Sequence, residues 1–320
     1  MEILSLKPTV KDTIWGGRKL IENFGFTTTE NNIAEAWLLS CHKDGPAYVS
    51  GGEYDGKTLA EVIETEGREV LGTDNANIPD FPVLIKIIDA CDKLSIQVHP
   101  GDEYARRVEN ENGKTEAWYI LEAEPDAQLV YGVSKEMSRE EFAGMVKAGR
   151  TEDVLNFVNV KAGDVVFIPS GMLHAIGKGI LLAEVQQSSN TTYRVYDYNR
   201  PGKDGKPREL HIQKAIDVVE LTHPEGGFAP AGEPVEYAGG VKTYLTGCEY
   251  FSMTSLNVDG DFSDVAVEKS FVSLLVLEGE GTISGKTVSY ELKKGSSVFI
   301  PAAYGEYKLS GSMKILETRT

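Results

Sequence analysis

A repeated strand motif constrains the fold of this chain of 320 residues more than any other feature. The motif joins a glycine turn, a short apolar run and a proline. It occurs at residues 161–170 (KAGDVVFIPS) and, 132 positions later, at residues 293–302 (KKGSSVFIPA). A second pair of related segments precedes it, at residues 119–124 (YILEAE) and 275–280 (LVLEGE), with an offset of 156. Related segments in the same order indicate two related structural units.

The two offsets differ by 24 residues, about the length of the segment 138–157, which begins with a helix capping-box pattern. We therefore predict a β domain with helical insertions at residues 1–222 and a second β domain at residues 236–320. Residues 223–235 are rich in glycine, proline and alanine and are predicted to link the two domains. The alternative is chance similarity, because glycine turns followed by strands recur in many β proteins.

Strand patterns are strongest at residues 81–89 and 93–99. Side chains alternate between the two faces of a strand. The second run therefore has an apolar face and a polar face, formed respectively by Leu94, Ile96 and Val98 and by Lys93, Ser95, Gln97 and His99. The polar face is expected to carry the chemistry.

Helical patterns are fewer than strand patterns. They lie at residues 58–71, 138–157 and 210–221, and Gly149 is expected to divide the second into two short helices. The 33 glycines and 13 prolines have no period and favour a fold with many turns. The sequence thus predicts a mainly β protein with a few helices.

The charge balance limits the partners of the chain. It carries 32 Lys and Arg against 49 Asp and Glu, a net charge of −17, which argues against nucleic acid and anionic membranes as partners. An anionic ligand would need a locally basic site. Three widely spaced cysteines favour a reducing compartment, and no apolar run reaches the roughly 18 residues of a membrane span. We predict a cytoplasmic protein, and nothing in the sequence implies an obligate protein partner.

The segment that begins at Gly163 resembles the second motif of the cupin superfamily, with Pro169 and His174 at the spacing of that motif. Cupins are small jelly-roll barrels that hold a metal ion inside. The later asparagine of the motif is absent, and Lys178 stands in its place. In the second repeat Glu306 replaces the histidine. The resemblance therefore implies a metal site in the N-terminal barrel and none in the C-terminal barrel.

Four residues form a candidate ligand set. Gln97 and His99 share one strand face, and Glu116 and His174 follow farther along the chain. One amide oxygen, one carboxylate and two imidazoles suit zinc, with a position left open for water or substrate. The two imidazoles and the carboxylate alone also suit iron(II). The other three histidines lie in no recognisable site pattern and are expected to be ordinary surface or core residues.

Several segments together resemble the type I mannose-6-phosphate isomerases in their short bacterial form. They lie at residues 13–17 (TIWGG), 94–100 (LSIQVHP), 113–119 (GKTEAWY), 168–175 (IPSGMLHA) and 194–200 (RVYDYNR). The resemblance spans essentially the whole chain. It implies two cupin-type jelly-roll barrels, with helices inserted in the N-terminal catalytic part. It also implies one Zn²⁺ per chain, held by the four residues of the ligand set.

The implied reaction interconverts mannose 6-phosphate and fructose 6-phosphate through a cis-enediol. By the same resemblance, Lys114, Glu184 and Arg194 handle the substrate. Arg194 binds the phosphate or stabilises the enediolate. Glu184 is either the base for the carbon acid or an ion-pair partner that orients the two cations, and Lys114 is the alternative proton shuttle. Many longer members have a histidine where this chain has Gly113, so a role of that histidine does not transfer.

Four more residues are predicted to contact the substrate. Lys86 interrupts an apolar strand, and Lys93 shares the polar face described above, so both are candidate cations for the phosphate. Ser95 either donates to the phosphate or packs in the barrel. Trp118 follows the candidate glutamate ligand by two positions and would share its inward face, as a platform for the sugar.

Two other functions fit the same residues. One is a non-catalytic cupin that keeps the metal and binds a sugar phosphate. The other is a different metal-dependent cupin enzyme, such as an iron(II) dioxygenase or a cupin-type phosphoglucose isomerase. The three substrate-handling residues argue against a mere binder, and Gln97 in place of the usual first histidine argues against the other enzymes.

Overall fold

The computed structural model of the chain describes residues 1–202 and 205–320. Strands predominate in these residues, which confirms a mainly β fold with few helices. The strands are β1 (Leu4–Lys7), β2 (Thr9–Lys11), β3 (Glu35–Leu39), β4 (Tyr48–Val49), β5 (Val83–Ala90), β6 (Ile96–Val98), β7 (Glu116–Ala123), β8 (Gln128–Val133), β9 (Leu155–Asn159), β10 (Val165–Ile168), β11 (His174–Ile176), β12 (Ile180–Gln187), β13 (Tyr193–Tyr196), β14 (Val235–Tyr237), β15 (Gly240–Gly247), β16 (Ser252–Ala266), β17 (Val272–Ser284), β18 (Ser289–Lys293), β19 (Ser297–Ile300) and β20 (Gly305–Arg319). The α-helices are α1 (Lys19–Glu22), α2 (Leu59–Glu66), α3 (Asp102–Val108), α4 (Arg139–Lys147) and α5 (Ile212–Val218).

The first half of the chain forms two sheets that pack together. One has six strands in the order β10-β7-β12-β5-β3-β2, and the other has five in the order β13-β6-β11-β8-β9. Apolar side chains from both sheets, such as Trp118 and Ile120 on β7 and Leu129 on β8, meet in a common core. Short strands that pair across two packed sheets are the architecture expected of a jelly-roll barrel.

The six-stranded sheet is covered on both faces. Its outer face packs against the second half of the chain, where Leu275 and Phe299 join a shared core. Burial on both faces explains why most residues of β5 and β12 are apolar and why every position is buried. Lys86 on β5 and Glu184 on β12 are exceptions to that apolar pattern, and they lie directly opposite each other in the ladder.

The second half of the chain forms a nine-stranded sheet in the order β14-β15-β16-β20-β17-β19-β1-β4, and β18 also pairs with β17. Its long strands curl around an apolar core of their own. The N-terminal strand β1 belongs to this sheet, because Leu4 pairs with Phe299 on β19. The first residues of the chain therefore pair with the second unit, and the predicted division at residues 223–235 stays a prediction.

The sequence repeat is also a structural repeat. Strand β10 pairs with β7 in the first unit, and β19 pairs with β17 in the second, both antiparallel. Val165 lies opposite Tyr119, and the corresponding Ser297 lies opposite Leu275, so the same repeat positions face each other in both units. Both copies follow a glycine with positive φ, a conformation that glycine adopts without strain. Chance similarity does not account for this shared register.

The helices are shorter than predicted. Helix α2 begins with the capping box of Thr58 and Glu61, but Gly67, at a φ of 95°, ends it, and a 3₁₀ turn follows. The segment 138–157 contains α4, a 3₁₀ turn and then β9, because its last residues pair with β8. The second helix predicted there was therefore wrong, while the helix predicted near residues 210–221 is α5. None of the helices in the described residues has the length and hydropathy of a membrane span.

Candidate active site

Four side chains from distant parts of the sequence meet inside the first barrel. Gln97 lies on β6, His99 follows that strand, and Glu116 and His174 begin β7 and β11. The candidate ligand atoms of the two histidines and the glutamate all lie within 4.8 Å of one another. Because β6 pairs with β11, Gln97 lies opposite His174, with 3.4 Å between Nε2 of the amide and Nε2 of the ring. The structure thus brings three of the predicted donors together. It places the amide of Gln97 beside them, with its nitrogen toward His174 and its oxygen toward the hydroxyl of Ser95.

Backbone carbonyls orient both imidazoles. Nδ1 of His99 lies 2.9 Å from the carbonyl oxygen of Thr191, and Nδ1 of His174 lies 2.9 Å from that of Met172. A carbonyl only accepts, so each Nδ1 carries the hydrogen and each Nε2 presents its lone pair to the cluster. Burial lowers the pKa of His174 to about 4. Burial and the charge of Lys114 hold the pKa of His99 well below its usual range, so both rings are neutral, as metal ligands must be.

The carboxylate of Glu116 is fully buried between these rings. Its Oε1 lies 3.3 Å from Nε2 of His174, and its Oε2 lies 3.6 Å from Nε2 of His99. Within the described residues, neither oxygen has a hydrogen bond of normal geometry. Burial, together with the charge of Glu184, raises the pKa of Glu116 to about 7. Oε1 therefore faces the lone pair of a neutral imidazole with no donor from the described residues between them, which is costly, and a cation held here would remove that cost.

A positive charge already lies against this cluster. Nζ of Lys114 is 2.6 Å from Oε2 of Glu116 and 3.0 Å from Nε2 of His99. The donor set, the neutral imidazoles and the carboxylate oxygen that faces His174 without a donor from the described residues together fit a divalent metal ion with nitrogen and oxygen ligands.

A second buried charge cluster adjoins the first. Nζ of Lys86 lies 3.2 Å from Oε1 of Glu184 and 3.6 Å from Oε2 of Glu35. The indole N–H of Trp118 donates to Oε2 of Glu184 over 2.9 Å. Burial alone would raise the pKa of Glu184, but the charges of Lys86 and Lys114 outweigh it and lower that pKa. Glu184 is therefore ionised, and Lys86 and Trp118 each contact one of its two carboxylate oxygens and fix its position.

A cavity of about 290 Å³ opens above these clusters. Seven predicted site residues line it: Lys86, Ser95, Gln97, Lys114, Trp118, Glu184 and Arg194. Two further charged residues line it, Glu35 and Arg208, neither of which is among the predicted site residues. Trp118 is only 1% exposed, and its role as a platform for the sugar stays a prediction.

The far end of the cavity is basic. Nε of Arg194 donates to Oγ of Ser95 over 3.3 Å, and Asp197 accepts two bonds of 2.7 Å from Arg208. Burial lowers the pKa of Arg194, and the neighbouring charge of Arg208 lowers it further. Two guanidinium groups that repel each other form the local basic site that an anionic ligand of this acidic chain requires.

Lys93 does not join the site. Its Nζ lies 3.5 Å from the centre of the Tyr198 ring and 3.9 Å from Oε1 of Glu152, and it lines a different cavity. Lys93 lies three residues before the start of β6 and directly follows a bend at residues 91–92. The alternation of faces extends to Ser95, which lines the cavity, but not as far as Lys93.

The second unit differs at the positions that correspond to the ligands. Glu116 lies opposite Ile168 in the first unit, and Val272 lies opposite Ile300 in the second. An apolar valine therefore occupies the position of the carboxylate, and its side chain belongs to the core of that unit.

The fold and the buried donor cluster define a cupin-type barrel protein with a candidate metal centre. Comparisons with known proteins narrow this class. Residues 3–129 match the family described as phosphomannose isomerase type I, catalytic domain, and residues 240–319 match the mannose-6-phosphate isomerase cupin domain. Mannose-6-phosphate isomerase ManA of Bacillus subtilis is 43% identical over 312 residues, which cover 97% of this chain and 96% of ManA.

Solved structures of mannose 6-phosphate isomerases also match this chain. The crystal structure of the mannose 6-phosphate isomerase from Bacillus subtilis has a TM-score of 0.92 at 35% identity and covers 99% of both chains. A zinc-bound mannose 6-phosphate isomerase shares the fold, with a TM-score of 0.77 at 18% identity and 99% coverage of each chain. The chain therefore belongs to the type I mannose-6-phosphate isomerase family. This membership confirms the cupin fold and the isomerase activity that the sequence resemblance implied.

Proposed function

We propose that the chain interconverts mannose 6-phosphate and fructose 6-phosphate at one Zn²⁺ per chain, held by Gln97, His99, Glu116 and His174. The observation that carries this proposal is the buried carboxylate of Glu116, which lies between two neutral imidazoles and whose Oε1 faces one of them without a hydrogen-bond donor in the described part of the chain. A relative with the same fold is a zinc-bound isomerase. When bound, Zn²⁺ acts as a Lewis acid that stabilises the oxyanion of an enediolate and orients the oxygens of the sugar.

The reaction moves a proton between C2 and C1, so it requires a base beside the cavity. We assign this role to Glu184, which lines the cavity and is held as a carboxylate by Lys86 and Trp118. It takes the proton from C2 of the aldose, which leaves an enediolate, and returns it to C1; a proton also moves from O2 to O1, so that C2 becomes the carbonyl carbon of the ketose. Lys114 instead contacts two of the proposed metal ligands, which favours a role in holding the charge of that cluster.

The phosphate group fits the basic end of the cavity. Arg194 and Arg208 both line it, and Ser95 accepts a hydrogen bond from Arg194 there. A phosphate dianion between the two guanidinium groups would relieve their repulsion and accept charge-assisted hydrogen bonds from both. Asp197 holds Arg208 by both carboxylate oxygens, which fixes the direction of that side chain before the substrate binds.

The proposal is tested by mixing the purified protein with mannose 6-phosphate and measuring fructose 6-phosphate, with and without a chelator. We expect turnover in the zinc-loaded protein, loss of turnover after chelation and recovery when Zn²⁺ is added back. Unphosphorylated mannose should react far more slowly, because the basic end of the cavity would be unused. The control is Lys93→Met, which removes a cation outside the cavity and should leave turnover unchanged. Absence of turnover in the zinc-loaded protein would overturn the proposal.

A glutamine variant tests the choice of base. Glu184→Gln should keep its zinc but lose exchange of the C2 proton with solvent, since an amide cannot accept that proton. Lys114→Met should retain zinc at least as well as the wild type, because it removes a like charge beside Glu116 and His99 and no ligand. A Glu184→Gln protein with normal turnover would contradict the assignment. The cytoplasmic location, the independence from nucleic acid, membrane and obligate protein partners, and the division into domains stay predictions.

A further inference from the structure

Gln186 is a buried polar residue that the proposed reaction does not use. It lies on β12, two residues after Glu184, and its side chain is completely buried. Its Nε2 donates to the carbonyl oxygens of Gln187 and Ser189, both over 2.7 Å. In the part of the chain that the structure describes, its Oε1 has no hydrogen-bond partner. An apolar side chain here would avoid the free-energy cost of burying that unpaired oxygen. The reason for an amide at this position is therefore the two hydrogen bonds that its nitrogen donates.

These bonds reach the metal site through residues 188–192, which we call the support segment. Gln186 holds the carbonyl of Ser189, and Oγ of the same serine accepts from the backbone N–H of Thr191 over 3.3 Å. The carbonyl of Thr191 in turn accepts from Nδ1 of His99 over 2.9 Å. Three consecutive hydrogen bonds therefore connect the buried amide to the imidazole of a proposed zinc ligand.

Two other anchors of the support segment lie closer to solvent. Nδ2 of Asn190 donates to Asp44 over 2.9 Å, and its backbone N–H donates to Glu111 over 3.3 Å. Both Asn190 and Asp44 are exposed, so water competes for their hydrogen bond. Gln186 is instead a buried anchor, as is the backbone N–H of Ser188, which donates to the carbonyl oxygen of Pro82 over 3.0 Å.

We propose that Gln186 is a positioning residue of the metal site, which fixes the support segment so that the carbonyl of Thr191 holds the ring and tautomer of His99. The inference rests on the proposed function, because it assumes that His99 binds zinc. Groups that orient a metal-binding histidine in this way typically change metal affinity by about 10- to 100-fold when they are removed. The same loss is expected here without any change in the ligands themselves.

The test compares Gln186→Met with a matched control, Asn75→Leu. Asn75 is also a buried amide whose nitrogen donates two bonds, to Leu71 over 2.8 Å and to Thr320 over 2.7 Å, and whose oxygen is unpaired within the described residues. It contacts the C-terminus of the chain and none of the proposed ligands. The measurement is the affinity for Zn²⁺ in competition with a chromophoric chelator, alongside the unfolding temperature of the metal-free proteins.

We expect both variants to unfold at a lower temperature, but only Gln186→Met to bind Zn²⁺ about 10- to 100-fold more weakly than the wild type. Equal zinc affinity in the wild type and Gln186→Met would overturn the inference and leave the proposed function intact. If the wild type bound no zinc, both the inference and the proposed function would be overturned. The zinc titration of the wild type shows this directly.

A milder variant covers the case in which Gln186→Met does not fold. Ser189→Ala removes the hydroxyl that accepts from Thr191 and leaves the amide of Gln186 in place. It should weaken Zn²⁺ binding in the same direction by a smaller factor. Unchanged zinc affinity in this variant would overturn the inference.

Discussion

Replacing Lys86 with methionine removes the cation between the buried carboxylate of Glu184 and the partly buried carboxylate of Glu35. Nζ of Lys86 lies 3.2 Å from Glu184 and 3.6 Å from Glu35, and these side chains are only 7%, 3% and 18% exposed. At an effective dielectric constant of about 20, each pair attracts by roughly 5 kcal/mol. The cost of burying the three charges offsets most of this attraction. Removing one partner of a buried ion pair typically costs about 3–5 kcal/mol, because a charge is left uncompensated.

We therefore expect Lys86→Met to lower the free energy of unfolding of the metal-free protein by about 3–5 kcal/mol, measured by urea denaturation. The double variant Lys86→Met/Glu35→Gln removes one of the two stranded carboxylates and should regain about 1 kcal/mol or more. A single variant within about 1 kcal/mol of the wild type would refute the reasoning. So would a double variant that is less stable than the single one.

Four further predictions concern the ligands, the phosphate end, the second unit and acid stability. His99→Ala and His174→Ala should each abolish zinc retention, measured as zinc content per chain, and retained zinc with normal activity would contradict the ligand assignment. Arg194→Ala should keep its zinc but lower kcat/KM by about 100-fold, because a charged hydrogen-bonding group is lost; unchanged kinetics would contradict its role. Glu306→Ala should change activity little, and a large loss at preserved stability would show that the second unit contributes to the site. Burial would raise the pKa of Asp264, but the hydrogen bond and charge of Lys242 outweigh it and lower that pKa from 3.8. The stability it contributes is complete above pH 3.8 and is lost as the pH falls through the lowered pKa. Asp264→Asn should therefore lose less stability than the wild type over that acid range, and equal losses in thermal unfolding would exclude this contribution.

The sequence was sufficient to predict the repeat and the donor cluster. Period-two alternation placed Gln97 on the inward face of β6, and the motif around His174 placed a second donor on a neighbouring strand. The first inference depends on local geometry, since a strand side chain points to a face that its position determines. The second depends on the resemblance to the cupin motif. The pairing of Gln97 with His174 across two strands was not predicted and comes from the structure.

Features that depend on tertiary contacts were not predictable. Glu35 belongs to the site because β3 pairs with β5 and brings it beside Lys86, and no local pattern marks that pairing. Arg208 lies in an irregular region after β13, where neither helical nor strand periodicity applies. The pairing of β1 with the second unit joins residues almost 300 positions apart. Lys93 was placed wrongly because the alternation of strand faces was extended to a residue that lies three positions before the strand begins.

Crystals of the zinc-loaded protein, measured on both sides of the zinc absorption edge, would locate the metal independently of any activity. We predict a single anomalous peak per chain, about 2.0–2.2 Å from Nε2 of both His99 and His174, a carboxylate oxygen of Glu116 and the amide oxygen of Gln97. A peak bound to other residues, or bound to these histidines without Glu116, would contradict the metal centre on which the proposed function depends.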